Sequence, residues 1–373
     1  MINSGSNCLG NFSTIDESQL PPILEVRGTN RAMGQQIGES IRAKVQHGVE
    51  NTRAYFGHNF SALQLSWDGA VLQALKYMFF ALQTHPQYIE EIRGIAEGAN
   101  VNYADLAVVN AFECVAVDAL HLQKCTSLAA GRSRTAGSVI LGHNEDWLAE
   151  DEPDVYFLIA HPVNEPAFIA MSYGGLLPNI GFNESGIAQS CDSVYPNDLR
   201  VGIPRVIVSR AVLAARTMEE AVNRTHPPLR AAGYNHLLAH SDGEIYNVEV
   251  SASTYQVIPA ENGCLAHTNH YLSPKMQQME KTRTGQEKTD RRYSRIISLL
   301  SQHETHSMQS FQSMLADHEN YPDSICQHLP VENQTSTQSK TIVSLVMDLG
   351  ERKMSYSWGN PCSNTYQEII PGF

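Results

Sequence analysis

Charge is scarce in this sequence. Asp, Glu, Lys and Arg together make up 17% of its 373 residues, and the formal net charge of −13 is not interrupted by any basic cluster. That balance speaks against nucleic acid or an anionic membrane as the main partner. No apolar run approaches the roughly 20 residues needed to cross a bilayer, and Met1 to Gln19 lacks the apolar core of a signal peptide. The seven cysteines, Cys8, Cys114, Cys125, Cys191, Cys264, Cys326 and Cys362, are scattered and odd in number, with no Cys-x-x-Cys pair. Their spacing offers neither a zinc motif nor a disulfide framework and fits a reducing, cytoplasmic setting. Glycine-rich nucleotide loops are missing too. Gly174-Gly175 and Gly181 match neither G-x-G-x-x-G nor the P-loop, so no cofactor is expected. The histidine pairs His267/His270 and His303/His306 lack the spacing of a metal-binding helix face, and no metal is expected.

What is present is the composition of a folded protein. Apolar residues account for 42% of the chain, enough for a core in one large domain or two. Before residue 125 the apolar spacing is helical. A short strand over Ile23–Arg27 precedes Met33, Ile37, Ile41 and Val45, which recur every fourth residue and predict one amphipathic helix over Arg31–Val45. Trp67–Leu82 predicts a buried helix, apolar on most sides. Pro86 opens another in its first turn, and Tyr103–Val117 predicts a fourth.

After Cys125 the texture changes. Thr126–Ala130 and Ser138–Gly142 predict a strand pair around the turn-prone stretch Gly131–Gly137. Val155–His161, Ala167–Tyr173, Gly186–Asp192, Asn235–His240, Glu244–Val250 and Thr254–Ile258 predict further strands. Helices are predicted over Ile203–Arg216, Thr217–Asn223, Thr289–Leu300 and Ser307–Asp317. Thr217 and Glu220 have capping-box spacing. Thr341–Leu349 and Arg352–Trp358 close the chain as a strand pair, and Gln277–Asp290 and Gln327–Lys340 predict surface loops. The order of elements gives an α+β fold of stacked layers.

Cys125 opens the first strand of the pair, and the second strand ends on Gly142-His143-Asn144-Glu145-Asp146-Trp147, which brings Asp146 back toward the thiol. A thiol at the head of a strand with a carboxylate nearby is the layout of an N-terminal nucleophile. An α-amine titrates near ~8 whereas a free thiol is mostly protonated at neutral pH, so a cysteine freed at its own N-terminus carries a suitable base. Cys114, the nearest competitor, lies in an apolar helical run and is assigned to the core.

Four motifs in this order resemble the acyl-coenzyme A:6-aminopenicillanic acid acyltransferase family, whose other branch is the N-β-alanyl-dopamine hydrolases. They are Cys125-Thr126-Ser127, Gly142-His143-Asn144-Glu145-Asp146, the stretch from Gly174 to Gly186, and Thr268-Asn269-His270. The resemblance implies a four-layer αββα sandwich of the N-terminal-nucleophile hydrolase type. It implies cleavage between Lys124 and Cys125 into a mainly helical segment 1–124 and a catalytic segment 125–373, both within one domain. Lys124 departs from the glycine of the penicillin acyltransferases and suits the hydrolase branch. Cys125 would be the nucleophile, Asp146 would orient its α-amine, and Asn269 would donate to the oxyanion. Glu145 either faces substrate or solvent, and Tyr173 and Phe182 either shape an acyl pocket or belong to the core. The implied substrate is a small N-acyl amine, cleaved or transferred through a thioester. The alternatives are an acyl-coenzyme A-dependent N-acyltransferase and a non-cleaving, non-enzymatic member of the fold. The expected partners are this small amide and the processed segment 1–124, without nucleic acid or membrane. Homo-oligomerisation stays open.

Overall fold

A computed structural model describes residues 20–116, 125–282, 285–330 and 338–373. The chain begins with β1 (Ile23–Gly28) and α1 (Asn30–Ser40), the latter capped by Thr29, whose side chain accepts from the Ala32 amide. The predicted single helix over Arg31–Val45 breaks at Ile41 (φ −122, ψ 34) and restarts as α2 (Arg42–His58). Met33, Ile37, Ile41 and Val45 are all buried, so the apolar period persists through the break. Past the break, α2 serves a different neighbour: His47 Nδ1 lies 2.8 Å from Asp154, and Asn51 donates to Asp151 at 3.0 Å.

Four helices follow: α3 (Phe60–Leu63), α4 (Trp67–Thr84), α5 (Pro86–Ala99) and α6 (Tyr103–Val115). The structure corrects one expectation here. Helix α4 buries Ala70, Ala74, Tyr77, Met78 and Ala81, but Leu72 and Phe79 are 65% and 58% exposed. A 3.6-residue period turns these two away from α5 and α6, against which α4 packs.

Helices α1 and α5 approach backbone to backbone through Gly34 and Gly38 on one side and Gly94 and Gly98 on the other. A Cβ on Gly94 would stand 2.2 Å from the Arg31 carbonyl, and one on Gly34 2.2 Å from that of Glu91. Gly94→Ala should therefore lower the unfolding midpoint, at a cost of about 1–3 kcal/mol or more from overpacking. Gly57→Ala, in a helix with nothing within 4 Å of the new Cβ, should be neutral or stabilising. Urea melts of the two variants compare them directly.

The remaining elements alternate strands with short helices. They are β2 (Thr126–Ala130), β3 (Ile140–Leu148), β4 (Val155–Pro162), β5 (Phe168–Tyr173), β6 (Ile180–Asn183), β7 (Ile187–Ser193), α7 (Arg205–Val212), α8 (Met218–Arg224), β8 (Tyr234–His240), β9 (Ile245–Val250), β10 (Tyr255–Pro259) and β11 (Cys264–His267). Then come α9 (Pro274–Gln277), α10 (Gln286–Ser301), α11 (Met308–Leu315), β12 (Ser339–Asp348), β13 (Lys353–Trp358) and β14 (Gln367–Ile369). Strands β6 and β14 are among those outside the predicted set. Strand β3 is also longer than predicted, running through the polar residues that the sequence placed beyond its end.

The strands form two sheets, β1-β4-β5-β6-β7-β8-β9-β10 and β11-β2-β3-β12-β13-β14. Only the β1–β4 pairing is parallel among those described. The sheets face each other through β2 and β3 against β7 and β8. Outside the first sheet, α7 and α8 pack Val212 and Met218 onto Ile187, Leu238 and Val248, while α1 packs on β1 and β4. Outside the second, α10 and α11 pack Ile296, Leu300, Phe311 and Leu315 onto Leu128, Ile140 and Val346. The result is a four-layer αββα sandwich, as the family resemblance implies.

Candidate active site

Cys125 directly precedes β2 and lines a cavity between the sheets and the N-terminal helices. Strand pairing explains its neighbours. Thr126 stands opposite Asn144, so the antiparallel ladder carries Cys125 to Glu145. Side chains alternate along β3. Glu145 and Trp147 line the cavity, whereas Asn144 donates to the carbonyls of Leu315 and Ile325 at 2.9 and 3.1 Å. Asp146 shares the face of Asn144, and its Oδ1 accepts from the Thr341 hydroxyl at 2.5 Å.

The Cys125 thiol is 3% exposed and 3.9 Å from Glu145 Oε2. Burial pushes its pKa well above the ordinary thiol value, and the carboxylates of Glu145, Asp146 and Asp192 push further in the same direction. The backbone amide of Asp146 opposes this only in part. Such a thiol is protonated at neutral pH and needs a base to become a nucleophile.

Glu145 is held from two sides. The Tyr173 hydroxyl donates to its Oε1 at 3.1 Å, and His143 Nε2 lies 2.9 Å from its Oε2. His143 Nδ1 lies 2.9 Å from the Ser127 hydroxyl, which donates to Asp192 at 2.9 Å. The cavity floor therefore continues as a buried polar network between the sheets. The donor atoms of Cys125, His143 and Glu145 lie within 4.8 Å of one another and could hold a metal ion.

Asn269 follows β11 and is fully buried. Its Oδ1 accepts from Arg292 Nη2 at 2.7 Å, and its Nδ2 donates to the Ser193 carbonyl at 3.1 Å. Arg292, on α10, also donates from Nη1 to the Cys125 carbonyl at 2.7 Å and to the Thr126 hydroxyl at 2.9 Å. One guanidinium thus ties Cys125 to Asn269 and fixes which end of the amide is the donor. The sequence reading missed Arg292. Its signal was an arginine within an amphipathic helix, indistinguishable there from a solvated cation.

The rest of the cavity is aromatic and acidic. Phe112, Trp147 and Tyr173 form walls, and Glu113, Glu145 and Asp151 line it, while no Lys or Arg does among the described residues. Glu113 is neutralised from behind by Arg205, at 2.6 and 2.9 Å. Asp151 accepts from Asn51 and from the Trp147 indole at 3.0 and 2.8 Å. Burial raises its pKa to about 6.

Of the residues singled out from sequence, Cys125, Glu145 and Tyr173 meet at this cavity, and Arg292 ties Asn269 to Cys125. Asp146 is adjacent through its backbone, with its side chain on the other face of β3. Phe182 does not line the cavity. It is 1% exposed and packs edge-on against Phe373, centroids 6.1 Å apart. Lys124 lies outside the described residues. Cys114 is buried, its thiol pushed up to about 11 by that burial. Cys191 is a second thiol lining the cavity, held within the β7–β8 ladder opposite His236.

A two-sheet sandwich between helical layers, with a buried cysteine at the head of a strand in its cavity, is the fold class of the N-terminal-nucleophile amidohydrolases and acyltransferases. Comparison with known proteins gives the family. The chain belongs to the acyl-coenzyme A:6-aminopenicillanic acid acyl-transferase family, whose pattern matches residues 133–363. It is 25% identical over 341 residues to the acyl-coenzyme A:6-aminopenicillanic-acid-acyltransferase 40 kDa form of Emericella nidulans, covering 90% of this chain and 92% of that one. It is 26% identical over 220 residues to a β-alanyl-dopamine/carcinine hydrolase of Drosophila melanogaster, covering 54% of this chain and 56% of that relative. Among solved structures, penicillin V acylase from Agrobacterium tumefaciens superposes with a TM-score of 0.47 at 14% identity, covering 66% of this chain and 86% of that one. No helix among the described residues is long and apolar enough to cross a membrane.

Proposed function

We propose that this protein is a self-processing cysteine amidohydrolase that cleaves small N-acyl amines carrying a positive charge. The observation that carries this reading is the composition of the cavity around Cys125. Aromatic walls and the carboxylates of Glu145 and Asp151 suit a cationic amide. The same surface would repel the phosphates of an acyl-coenzyme A donor.

Processing starts with attack of the Cys125 sulfur on the Lys124 carbonyl. The C–N bond breaks as the Cys125 nitrogen takes a proton, leaving Lys124 as a thioester on Cys125. Water hydrolyses that thioester to a Lys124 carboxylate and a free thiol. The products, 1–124 and 125–373, stay in one domain, because β1 belongs to the first sheet and Gly48, Thr52, Phe112 and Glu113 belong to the cavity. The freed α-amine supplies the base that the buried thiol needs, with Asp146 orienting it. In turnover the thiolate attacks the substrate carbonyl, and the Asn269 amide stabilises the oxyanion. The amine leaves with a proton from the α-ammonium, and water resolves the thioester. Glu145, braced by Tyr173, and Asp151 hold the substrate cation. Phe182 would act only from behind, through the strand that carries it.

N-terminal sequencing of the purified protein tests processing, and a start at Cys125 is expected. Release of amine from N-acyl substrates, matched in pairs with and without a cationic group, tests the substrate class. Equal rates for both members of each pair would sink the charge argument.

Asp151 makes a pH prediction. Its raised pKa means that its charge is present above about pH 6 and lost below. The preference for a cationic over a matched neutral substrate should therefore rise as pH climbs through about 6. Asp151→Asn should remove that inflection and raise KM for the cationic substrate about 10-fold, the weight of one charge-assisted contact. Taking the ratio of the two substrates cancels the titration of thiol and amine, which both share.

A further inference from the structure

We propose that His318, Cys326, His328 and Cys362 bind one zinc ion, at a structural site separate from the catalytic cavity. Their four donor atoms all lie within 4.8 Å of one another. His328 Nε2 is 3.5 Å from Cys326 Sγ, 3.4 Å from Cys362 Sγ and 2.9 Å from His318 Nε2. Tetrahedral zinc, with Zn–S near ~2.3 Å and Zn–N near ~2.0 Å, places neighbouring donors roughly 3.3–3.8 Å apart. The three separations from His328 lie within a few tenths of an ångström of these values.

The donor set selects the metal. Two thiolates and two neutral imidazoles exactly balance a dication, and this combination is a common one for closed structural zinc sites. The four groups include no oxygen donor, which excludes calcium and magnesium. Both cysteines are free thiols. Hydrogen bonding alone accounts poorly for the convergence, because thiols are weak donors and two imidazoles 2.9 Å apart can share only one proton.

The surroundings are built to hold the ligands. Cys326 and His328 flank Gln327, whose amide donates to the Thr341 hydroxyl at 2.9 Å and whose carbonyl accepts from Asn360 at 2.5 Å. Asn360 also donates to Cys326 Sγ at 3.4 Å, the kind of outer contact that orients a metal-bound sulfur. The Cys326 amide bonds the carbonyl of Asp317, next to His318, and Arg295 clamps the Asp317 carboxylate at 3.0 and 2.6 Å. Sequence spacing hides the site because the ligands come from three separate turns: after α11, before β12, and between β13 and β14. The first two adjoin the outer face of β3. Thr341, which holds Gln327, also donates to Asp146, and Asn144 holds Leu315 and Ile325. The ion would therefore brace the outer face of the strand that carries Glu145 and Asp146.

The test is metal content by mass spectrometry on the full chain, purified reduced and then supplied with zinc and desalted. About one zinc per chain is expected in the wild type and in Cys125→Ala, and a small fraction of that in Cys362→Ser and His318→Ala, whose positions are exposed. Cobalt in place of zinc should give a thiolate-to-cobalt charge-transfer band that weakens in Cys362→Ser. A strong chelator should lower the melting temperature of the wild type and leave that of Cys362→Ser unchanged. Three results would overturn the proposal. One is no zinc retained by the reduced wild type. Another is zinc lost from Cys125→Ala but kept in Cys362→Ser, which would move the ion to the cavity. The third is a Cys326–Cys362 disulfide whose reduction creates no zinc binding.

Discussion

Cys125→Ala should run as one full-length chain on a denaturing gel and show no amidase activity, whereas the wild type should run as two. Two separate losses converge on this residue. Without the sulfur nothing attacks the Lys124 carbonyl, so the α-amine is never freed. Without the thiol no acyl-enzyme forms even if the chain is cut by other means. The buried setting sharpens the expectation. A thiol held well above its ordinary pKa by burial and by Glu145, Asp146 and Asp192 is nearly inert until a base is placed beside it. Cys125→Ser should process slowly and turn over poorly, because a hydroxyl is harder still to deprotonate. Cys191→Ala is the informative control. Cys191 lines the same cavity, but it sits inside a strand opposite His236 and can never present an α-amine. It should process at the wild-type rate. Processing in Cys125→Ala, or its loss in Cys191→Ala, would move the nucleophile.

The sequence made the layers legible because periodicity reports burial. Ile37, Ile41 and Val45 are buried as their spacing predicts, even though the helix breaks at Ile41. It was less informative where a face is shared. Leu72 and Phe79 read as core because composition cannot tell a helix covered on one side from one covered all round. The polar residues after Gly142 read as the end of the second strand of the pair. In the structure they lie in the middle of β3, and their side chains are buried on both faces. That difference matters for the site. Beyond a strand's end, the segment would leave the direction of each side chain open. As a strand, it sends Glu145 to the cavity with Cys125 and Asp146 to Thr341. Arg292 was illegible for another reason. Its partners Cys125, Thr126 and Asn269 are remote in sequence, and no local pattern marks a cation with such long-range contacts. The same holds for Cys326 and Cys362, which spacing separates and folding joins.

Asn269→Ala should cut kcat by about 10²-fold or more while KM changes little. An amide that donates to the oxyanion is needed far more by the tetrahedral intermediate than by the ground-state carbonyl, and removing one such donor elsewhere costs about 3 kcal/mol. Asn269→Asp should be worse, since it sets a carboxylate against developing negative charge. The geometry adds a second arm through Arg292. This guanidinium donates to Asn269 Oδ1, so Nδ2 is the donor end of the amide, donating here to the Ser193 carbonyl. Arg292→Lys keeps the positive charge but loses the planar fork that reaches the Cys125 carbonyl, the Thr126 hydroxyl and Asn269 together. If Arg292 works by orienting Asn269, Arg292→Lys should lower kcat by a similar factor, and the double variant should be little worse than Asn269→Ala alone. Two purely structural residues would behave otherwise. Their losses would appear as lowered melting temperatures and would leave kcat per folded molecule nearly unchanged. Measuring kcat, KM and melting temperature on processed protein separates the two cases. Unchanged kcat per folded molecule in both single variants would remove both residues from the chemistry.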